Sequence, residues 1–280
     1  MKQLKLVGNS QFDVTLKYQD DKFMVVKKVT DSKDQDRLLS QCHKQKVFSH
    51  FVNEDLVLKH LFHVPKVYSV GSERDFSFSM EYVTGHTVLE ILDRGDITEL
   101  HDIHDRLWLF IDAEVKASKW QTVFRDEILK KLYDVMGKCP KGWLPIGYAI
   151  EQFISRDLAL PVGVCHGDLT FANMIFNNKI NLIDLLDSYI ETPIQDIAKL
   201  KQEFDLVWTW EMSNRNAQDM TKIRIGYSHL KKIFDHKVKE FGFEYEIKVF
   251  YLMTLFRIVP YIKSEDVSIL IESALKKELL

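Results

Sequence analysis

An α+β fold is predicted, with a small antiparallel sheet and one main helix in the first part of the chain and helices in most of the rest. Residues 12–18 alternate apolar and polar side chains, and the strand-like run 23–29 follows after a polar turn, which together are typical of a β-hairpin. Apolar residues recur with near-helical spacing between Leu38 and Phe51. From Ile194 to the C-terminus nearly every segment has a helical pattern.

The change from sheet to helices is predicted near Thr84-Gly85. Strand-like runs at 66–70 and 76–83, separated by a polar turn, complete the sheet as a second hairpin. We therefore expect an N-terminal lobe over residues 1–83 and a helical C-terminal lobe over residues 84–280.

The C-terminal lobe is predicted to combine helices with three short strands. The predicted helices before residue 160 are 87–92, 97–116, 120–136 and 148–154. The predicted strands are 161–165, 174–176 and 180–184, with Asn177-Asn178 as a tight turn between the last two. Further along, Pro260 is expected to kink or end a helix.

Composition and charge narrow the class of partner. The chain has 280 residues, 46% of them hydrophobic, which is enough for a sizeable core. Lysine and arginine (38) nearly balance aspartate and glutamate (41), so the net charge of −3 predicts neither a nucleic acid nor an anionic membrane as partner. Charged residues interrupt the N-terminal apolar residues, and no apolar run reaches membrane-spanning length, so a soluble cytoplasmic protein is expected. Cys42, Cys139 and Cys165 have no CxxC spacing and are expected to be reduced thiols.

A group of oxygen-bearing side chains surrounds one predicted hairpin. The segment His166-Gly-Asp168-Leu-Thr-Phe-Ala-Asn173 precedes it, and Asp184 follows at the end of an apolar strand. Phosphoryl transfer requires hard oxygen ligands for Mg²⁺, a carboxylate at the attacking hydroxyl and cations on the triphosphate. Asp168, Asn173 and Asp184 supply such oxygens, so the pattern predicts magnesium and phosphate chemistry.

This segment resembles the catalytic loop of the aminoglycoside phosphotransferase and choline kinase family, whose hallmarks are His-Gly-Asp-x4-Asn and a following Ile-Asp. Segments 26–32, 64–67 and 80–85 occur in the order that the family shows, and the resemblance covers residues 12 to 200. It implies a bilobal protein-kinase-like fold and a small-molecule kinase that uses Mg²⁺ and ATP, with GTP as the other option. It also implies that Asp168 deprotonates the acceptor hydroxyl, while Asn173 and Asp184 hold Mg²⁺.

The nucleotide residues follow from the same resemblance. A strand lysine is implied to grip the phosphates; alternation puts Lys27 and Lys28 on opposite faces, and the family's spacing to Thr30-Asp31-Ser32 favours Lys28. The backbone from Glu81 to Val83 resembles the hinge that receives adenine. The helix residue that supports the lysine, usually a glutamate in such kinases, is expected to be Gln45.

Other residues near the loop have two interpretations. The resemblance makes His166 and Asp196 structural supports of the catalytic loop. Asp187 is expected to contact a second metal or the substrate, or to be a solvated turn residue. Phe204 and Trp208, four residues apart on a predicted helix, would share a face that encloses a cationic substrate or packs in the core.

The predicted function is transfer of a γ-phosphoryl group from Mg-ATP or Mg-GTP to a hydroxyl of a small polar metabolite that is aminoglycoside-, sugar- or choline-like. The alternative is a catalytically silent nucleotide-binding module, suggested by Gln45 and by the presence of only Gly8 in place of a glycine-rich loop. A protein kinase is disfavoured because the segment between Asp184 and Asp196 is too short for a peptide-docking region. The sequence does not identify the acceptor or the oligomeric state.

Overall fold

The computed structural model describes residues 3–5, 12–71, 76–95, 97–213 and 220–280. Two compact units are present: the first consists of Met1–Val88 and Asn173–Asp187, and the second of Leu89–Ala172 and Ser188–Leu280. Gly8 and the predicted turn at residues 72–75 lie outside the described residues.

The first unit is built on a five-stranded antiparallel sheet in the order β1-β2-β3-β6-β5. Its strands are β1 (Gln3–Lys5), β2 (Asp13–Gln19), β3 (Lys22–Lys28), β5 (Val67–Val70) and β6 (Ser77–Glu81). Both predicted hairpins are confirmed: β2 pairs with β3, and β5 pairs with β6.

A single long helix, α1 (Gln35–Glu54), packs against this sheet, as the spacing from Leu38 to Phe51 predicts. A short 3-10 turn, Ser32–Asp34, leads into it, and the Asp31 carboxylate caps that turn by accepting a hydrogen bond from the Lys33 N–H. Apolar side chains of the helix and the sheet form one buried cluster, which stabilises their contact by removing apolar area from water. The cluster consists of Phe12, Val25, Leu38, Cys42, Phe76, Phe78 and Met80.

A second, three-stranded sheet completes the first unit, in the order β4-β10-β9. The strands β9 (Met174–Phe176) and β10 (Ile180–Leu182) form the predicted hairpin, and β10 also pairs in parallel with β4 (Phe62–His63), which follows the short helix α2 (Leu58–Leu61). Gly85 allows an additional bridge between His86 and Phe176, because a Cβ at position 85 would lie only 2.4 Å from the Phe176 carbonyl oxygen.

The second unit is mostly helical. Its helices are α3 (Val88–Arg94), α4 (Ile97–Ala117), α5 (Arg125–Met136), α6 (Leu144–Phe153), α7 (Pro193–Leu206), α8 (Trp208–Glu211), α9 (Met220–Phe241), α10 (Glu244–Phe256) and α11 (Glu265–Leu279). Because α10 is buried along most of its length, it forms the centre of the unit, with α7 packed against it. The break predicted near Pro260 is present: α10 ends at Phe256 and Pro260 lies in a 3-10 turn.

One predicted helix is wrong in its first turn. Residues Lys119–Val123 form the strand β7, which pairs with β8 (Leu158–Val162), and helix α5 begins only at Arg125. Trp120, Thr122 and Val123 have high strand propensity, and the antiparallel partner overrides a helical pattern. The strand predicted at 161–165 is observed three residues earlier, because the residues that pair with β7 are Leu158–Val162.

The three cysteines, all among the described residues, are thiols and form no disulfide, as expected. None of the helices within the described ranges is both long enough and apolar enough to cross a bilayer.

Candidate active site

The loop that begins at His166 is held from within by its own residues. Gly167 has a φ of 87°, a left-handed conformation that glycine adopts without steric cost. His166 is fully buried, and its Nδ1 accepts a hydrogen bond from the Asp168 N–H at 3.3 Å. The hydrogen bond joins two residues of the loop, and the bracing function of His166 stays a prediction.

Asp196 fixes the start of the loop from helix α7. Its Oδ2 accepts the His166 N–H and its Oδ1 accepts the Gly167 N–H at 2.8 Å. The carboxylate is fully buried in the first turn of α7, where the partial positive charge of the helix N-terminus favours an anion. Thr192 caps this helix and Pro193 occupies its first turn, so the sequence fixes where the helix begins.

Asp168, the predicted base, has a cationic partner that the sequence did not suggest. The Lys199 Nζ lies 2.9 Å from Asp168 Oδ1, and both side chains are largely buried, with exposed fractions of 16% and 23%. Lys199 is on α7, three residues after Asp196, so the two share a helix face. That spacing is the signal by which Lys199 could have been found.

Glu203, also on α7, fixes the end of the same loop. It is fully buried and accepts hydrogen bonds from the Phe171 N–H at 3.1 Å and from the Tyr227 hydroxyl at 2.6 Å. It also accepts the Thr209 N–H at 2.9 Å and the Thr209 hydroxyl at 2.7 Å. Burial raises the pKa of the Glu203 carboxyl even though these four donors favour its charged form. Sequence reasoning did not single out this residue.

The first unit contains the predicted phosphate and metal residues. Lys27 Nζ lies 2.6 Å from Asp184 Oδ1, and the lysine side chain is only 8% exposed. Lys27 shares a buried strand face with Val25, whereas the Lys28 side chain is exposed on the opposite face. The preference for Lys28 is therefore not supported by side-chain placement, because the strand alternation directs Lys27 toward Asp184.

Asn173 and Asp184 flank the β9–β10 hairpin, and the Ile183 N–H donates to the Asn173 carbonyl at 3.0 Å. Asp184 has a φ of 58°, a conformation that aspartate tolerates better than most residues. Within the described ranges, no group of three His, Cys, Asp or Glu side chains could hold a metal by itself. One carboxylate and one amide fit Mg²⁺, since this ion binds to proteins through one or two carboxylates and completes its shell with phosphate oxygens and water.

Gln45 supports the first unit in a different way from the prediction. Its Nε2 donates to the Pro65 carbonyl at 2.6 Å, and the side chain is buried. The nearby Lys44 donates to the Leu186 carbonyl at 2.6 Å and so binds the segment that follows Asp184. Among the described residues, Lys27 forms its ion pair with Asp184 and not with a side chain of α1.

The predicted adenine hinge begins where β6 ends, at Glu81. The Glu81 carboxylate is engaged by His63 Nε2 at 2.8 Å and by the Lys66 N–H at 3.2 Å, and the Glu81 N–H donates to the Lys66 carbonyl. Val83 follows in a segment without regular structure and is half-buried. Adenine binding by the backbone from Glu81 to Val83 stays a prediction.

The aromatic face predicted on one helix is absent. Phe204 is buried and its ring contacts those of Phe171 and Phe234, so the core-packing alternative describes it. Helix α7 ends before Val207, which has a φ of 51°, and Trp208 opens a separate helix. The left-handed residue between them removes the helical register that the prediction of a shared face required.

Asp187 lies at the end of the first unit and is exposed, in agreement with the solvated interpretation of that residue. Its predicted contact with a metal or substrate stays a prediction.

Comparisons with known proteins agree with this fold. The model of the phosphotransferase enzyme family matches residues 7–225. Among solved structures, a thermostable mutant of aminoglycoside phosphotransferase APH(4)-Ia, in ternary complex with AMP-PNP and hygromycin B, superposes with a TM-score of 0.66 at 14% identity, over 99% of this chain and 93% of that one. The choline kinase LicA from Streptococcus pneumoniae gives a TM-score of 0.55 at 15% identity, over 100% of this chain and 93% of that one. No curated protein matches the sequence.

The fold and the family match define a small-molecule kinase with a protein-kinase-like architecture. The chain belongs to the phosphotransferase enzyme family.

Proposed function

We propose that this chain transfers the γ-phosphoryl group of Mg-ATP to a hydroxyl of a small polar metabolite of the aminoglycoside, sugar or choline kind. GTP is the other nucleotide that the same residues would accept. The observation that carries the proposal is the Lys27–Asp184 ion pair, since it holds a cation for phosphate oxygens beside a carboxylate for magnesium. The AMP-PNP and hygromycin B in the aminoglycoside phosphotransferase complex support the choice of nucleotide and of acceptor class.

Each residue has a distinct task in this proposal. Lys27 binds the α- and β-phosphates, and the backbone from Glu81 to Val83 receives the base. Asn173 and Asp184 would hold Mg²⁺, which neutralises charge on the phosphates when bound. Asp168 orients the acceptor hydroxyl and accepts its proton as the oxygen bonds to the γ-phosphorus and the bond to the leaving nucleoside diphosphate breaks.

The test is release of nucleoside diphosphate in a coupled assay. ATP and GTP are each offered with a panel of aminoglycosides, choline, ethanolamine, sugars and homoserine. Acceptor-dependent release that requires Mg²⁺ and is lost in Asp184→Asn is the expected result. Release that is equal with and without Mg²⁺ would contradict the assignment of Asp184.

The alternative function is a catalytically silent module that binds nucleotide. The hydrogen bond of Gln45 to the Pro65 carbonyl favours it, because a neutral helix residue gives Lys27 no second anion. Thermal unfolding with ATP separates the two functions. A kinase should gain stability from ATP mainly when Mg²⁺ is present, whereas a silent module should gain the same stability without Mg²⁺ and should release no diphosphate.

A further inference from the structure

One face of helix α7 contacts the catalytic loop at three successive points. Asp196, Lys199 and Glu203 have the spacing i, i+3 and i+7, which puts them in one stripe. Asp196 binds the N–H groups of His166 and Gly167, Lys199 binds Asp168, and Glu203 binds the N–H of Phe171. The order of contacts along the helix therefore follows the order of residues along the loop.

The three contacts differ in what they hold. Asp196 and Glu203 bind backbone N–H groups and fix the path of the loop. Lys199 binds a side chain of the loop, and that side chain is the proposed base. A second acceptor, Gln202 Oε1, lies 3.3 Å from the Lys199 Nζ, and Gln202 is itself fully buried. The ammonium thus lies between two acceptors, Asp168 of the loop and Gln202 of its own helix.

Because it is largely buried, the ion pair between Lys199 and Asp168 has a stronger electrostatic attraction than a pair at the surface. Both side chains are mostly withdrawn from water, so salt and solvent screen their attraction less than they screen exposed pairs. The helix that carries the lysine is anchored in the core of the second unit, where Gln195 donates to Thr254 of α10 at 3.1 Å. The ammonium therefore has a fixed position against which the Asp168 carboxylate can be oriented.

We propose that Lys199 is a positioning residue that holds the Asp168 carboxylate in the orientation in which it accepts a proton from the acceptor hydroxyl. The proposal rests on the proposed function, because it assumes that Asp168 is the base. Lys199 acts through Asp168 and is not assigned a contact with nucleotide or acceptor. Sub-ångström placement of a base governs turnover, whereas the affinity for nucleotide depends on other residues.

The experiment compares Lys199→Met, Lys199→Arg and Lys201→Met in the full chain. Lys201 is the matched control: it lies on the same helix, is 18% exposed and pairs with Asp205 and Glu278, so its loss removes a similar ion pair away from the loop. With the panel acceptor that supports turnover best, Lys199→Met should lower kcat by about a hundredfold, the loss that a shift of about 1 Å in a reacting group brings. The KM for ATP should stay within about twofold of the wild-type value, since the substitution disturbs the base and not the residues that bind the nucleotide.

Restoration of part of the lost kcat by Lys199→Arg is expected, because the guanidinium keeps the charge. Lys201→Met should lower Tm and leave kcat near the wild-type value. A Lys199→Met enzyme with wild-type kcat would overturn the proposal, and so would an equal fall in kcat for Lys201→Met.

A double-mutant cycle on Tm tests the pair independently of turnover. Lys199→Met, Asp168→Asn and the double variant are unfolded thermally, and the two single shifts should fail to add if the residues interact. Additive shifts would overturn the proposal even if the enzyme turns over. A wild-type protein that shows a coupled pair but no release with any acceptor would instead contradict the proposed function, so the two failures are distinguishable.

Discussion

At the residue scale, the sequence did not reveal which of Lys27 and Lys28 is buried beside Asp184. Alternation along β3 puts the two lysines on opposite faces, but each face also carries apolar residues, Val25 on one and Met24 and Val26 on the other. Which face becomes buried depends on where α1 packs, and the position of α1 is a feature of the tertiary structure that strand alternation does not reveal. By contrast, Asp168, Asn173 and Asp184 could be selected from sequence because their mutual spacing is the motif.

Nucleotide binding should depend on Lys27 and not on Lys28. Lys27→Met removes the cation paired with Asp184, so the Mg-ATP-induced rise in Tm should largely disappear. Lys28→Met is the matched control on the exposed face of the same strand and should keep most of that rise. A larger loss in Lys28→Met than in Lys27→Met would restore the original preference for Lys28.

Glu203 should make stability depend on pH. Burial raises its pKa above the ordinary value of 4.5, so the native protein binds this proton more tightly than the unfolded chain does. The free energy of unfolding should therefore fall as the pH rises from 4.5 through the raised pKa of Glu203, because the native protein then loses a proton that it binds more tightly than the unfolded chain.

Glu203→Gln cannot ionise and should show a smaller decline in stability over that range. At low pH it should be less stable by about 1–3 kcal/mol, because its amide NH₂ would face the N–H of either Phe171 or Thr209. Urea unfolding midpoints measured from pH 4.5 upward check both effects. Identical pH dependence in the two proteins would show that the carboxyl does not titrate in this range.

At the scale of elements, the helices and strands with strong periodicity were predictable, and the two errors come from contacts that local sequence patterns do not show. Lys119–Val123 forms a strand because β8 pairs with it, and that partner is distant in sequence. The break between α7 and α8 occurs at Val207, which is not a residue that normally ends a helix. There the two hydrogen bonds from Thr209 to Glu203 turn the chain back, a contact that no local pattern reveals.

A methyl group added at Gly85 should disturb the contact between this residue and the β9–β10 hairpin and lower the stability of the protein. Gly85→Ala would place a Cβ 2.4 Å from the Phe176 carbonyl oxygen and disturb the bridge between His86 and Phe176. We expect a loss of about 1–3 kcal/mol in the free energy of unfolding, the usual cost of overpacking.

Gly142→Ala is the control for this substitution, because nothing lies within 4 Å of a Cβ at that position. Its urea midpoint should stay close to the wild-type value. Equal midpoints for the two variants would contradict the described contact.

For the whole molecule, the fold class and the kinase family were both predictable. The sheet with one helix followed from periodicity, and the family followed from the loop motif; the match over residues 7–225 confirms it. The boundary after residue 83 stays a prediction. The first compact unit also contains Asn173–Asp187, so a single boundary in the sequence does not describe the two units. The acceptor was not predictable, because the helices between 87 and 154 and after 194 carry no readable motif.

The central claim is that Asp168 is the base of a small-molecule kinase. The most direct test measures acceptor-dependent ADP release and the Mg-ATP-induced Tm shift in Asp168→Asn, with Asp112→Asn, an exposed carboxylate on α4, as control. We predict that Asp168→Asn lowers kcat by at least about a hundredfold while keeping the Tm shift, and that Asp112→Asn keeps both. Undiminished turnover in Asp168→Asn would contradict the account.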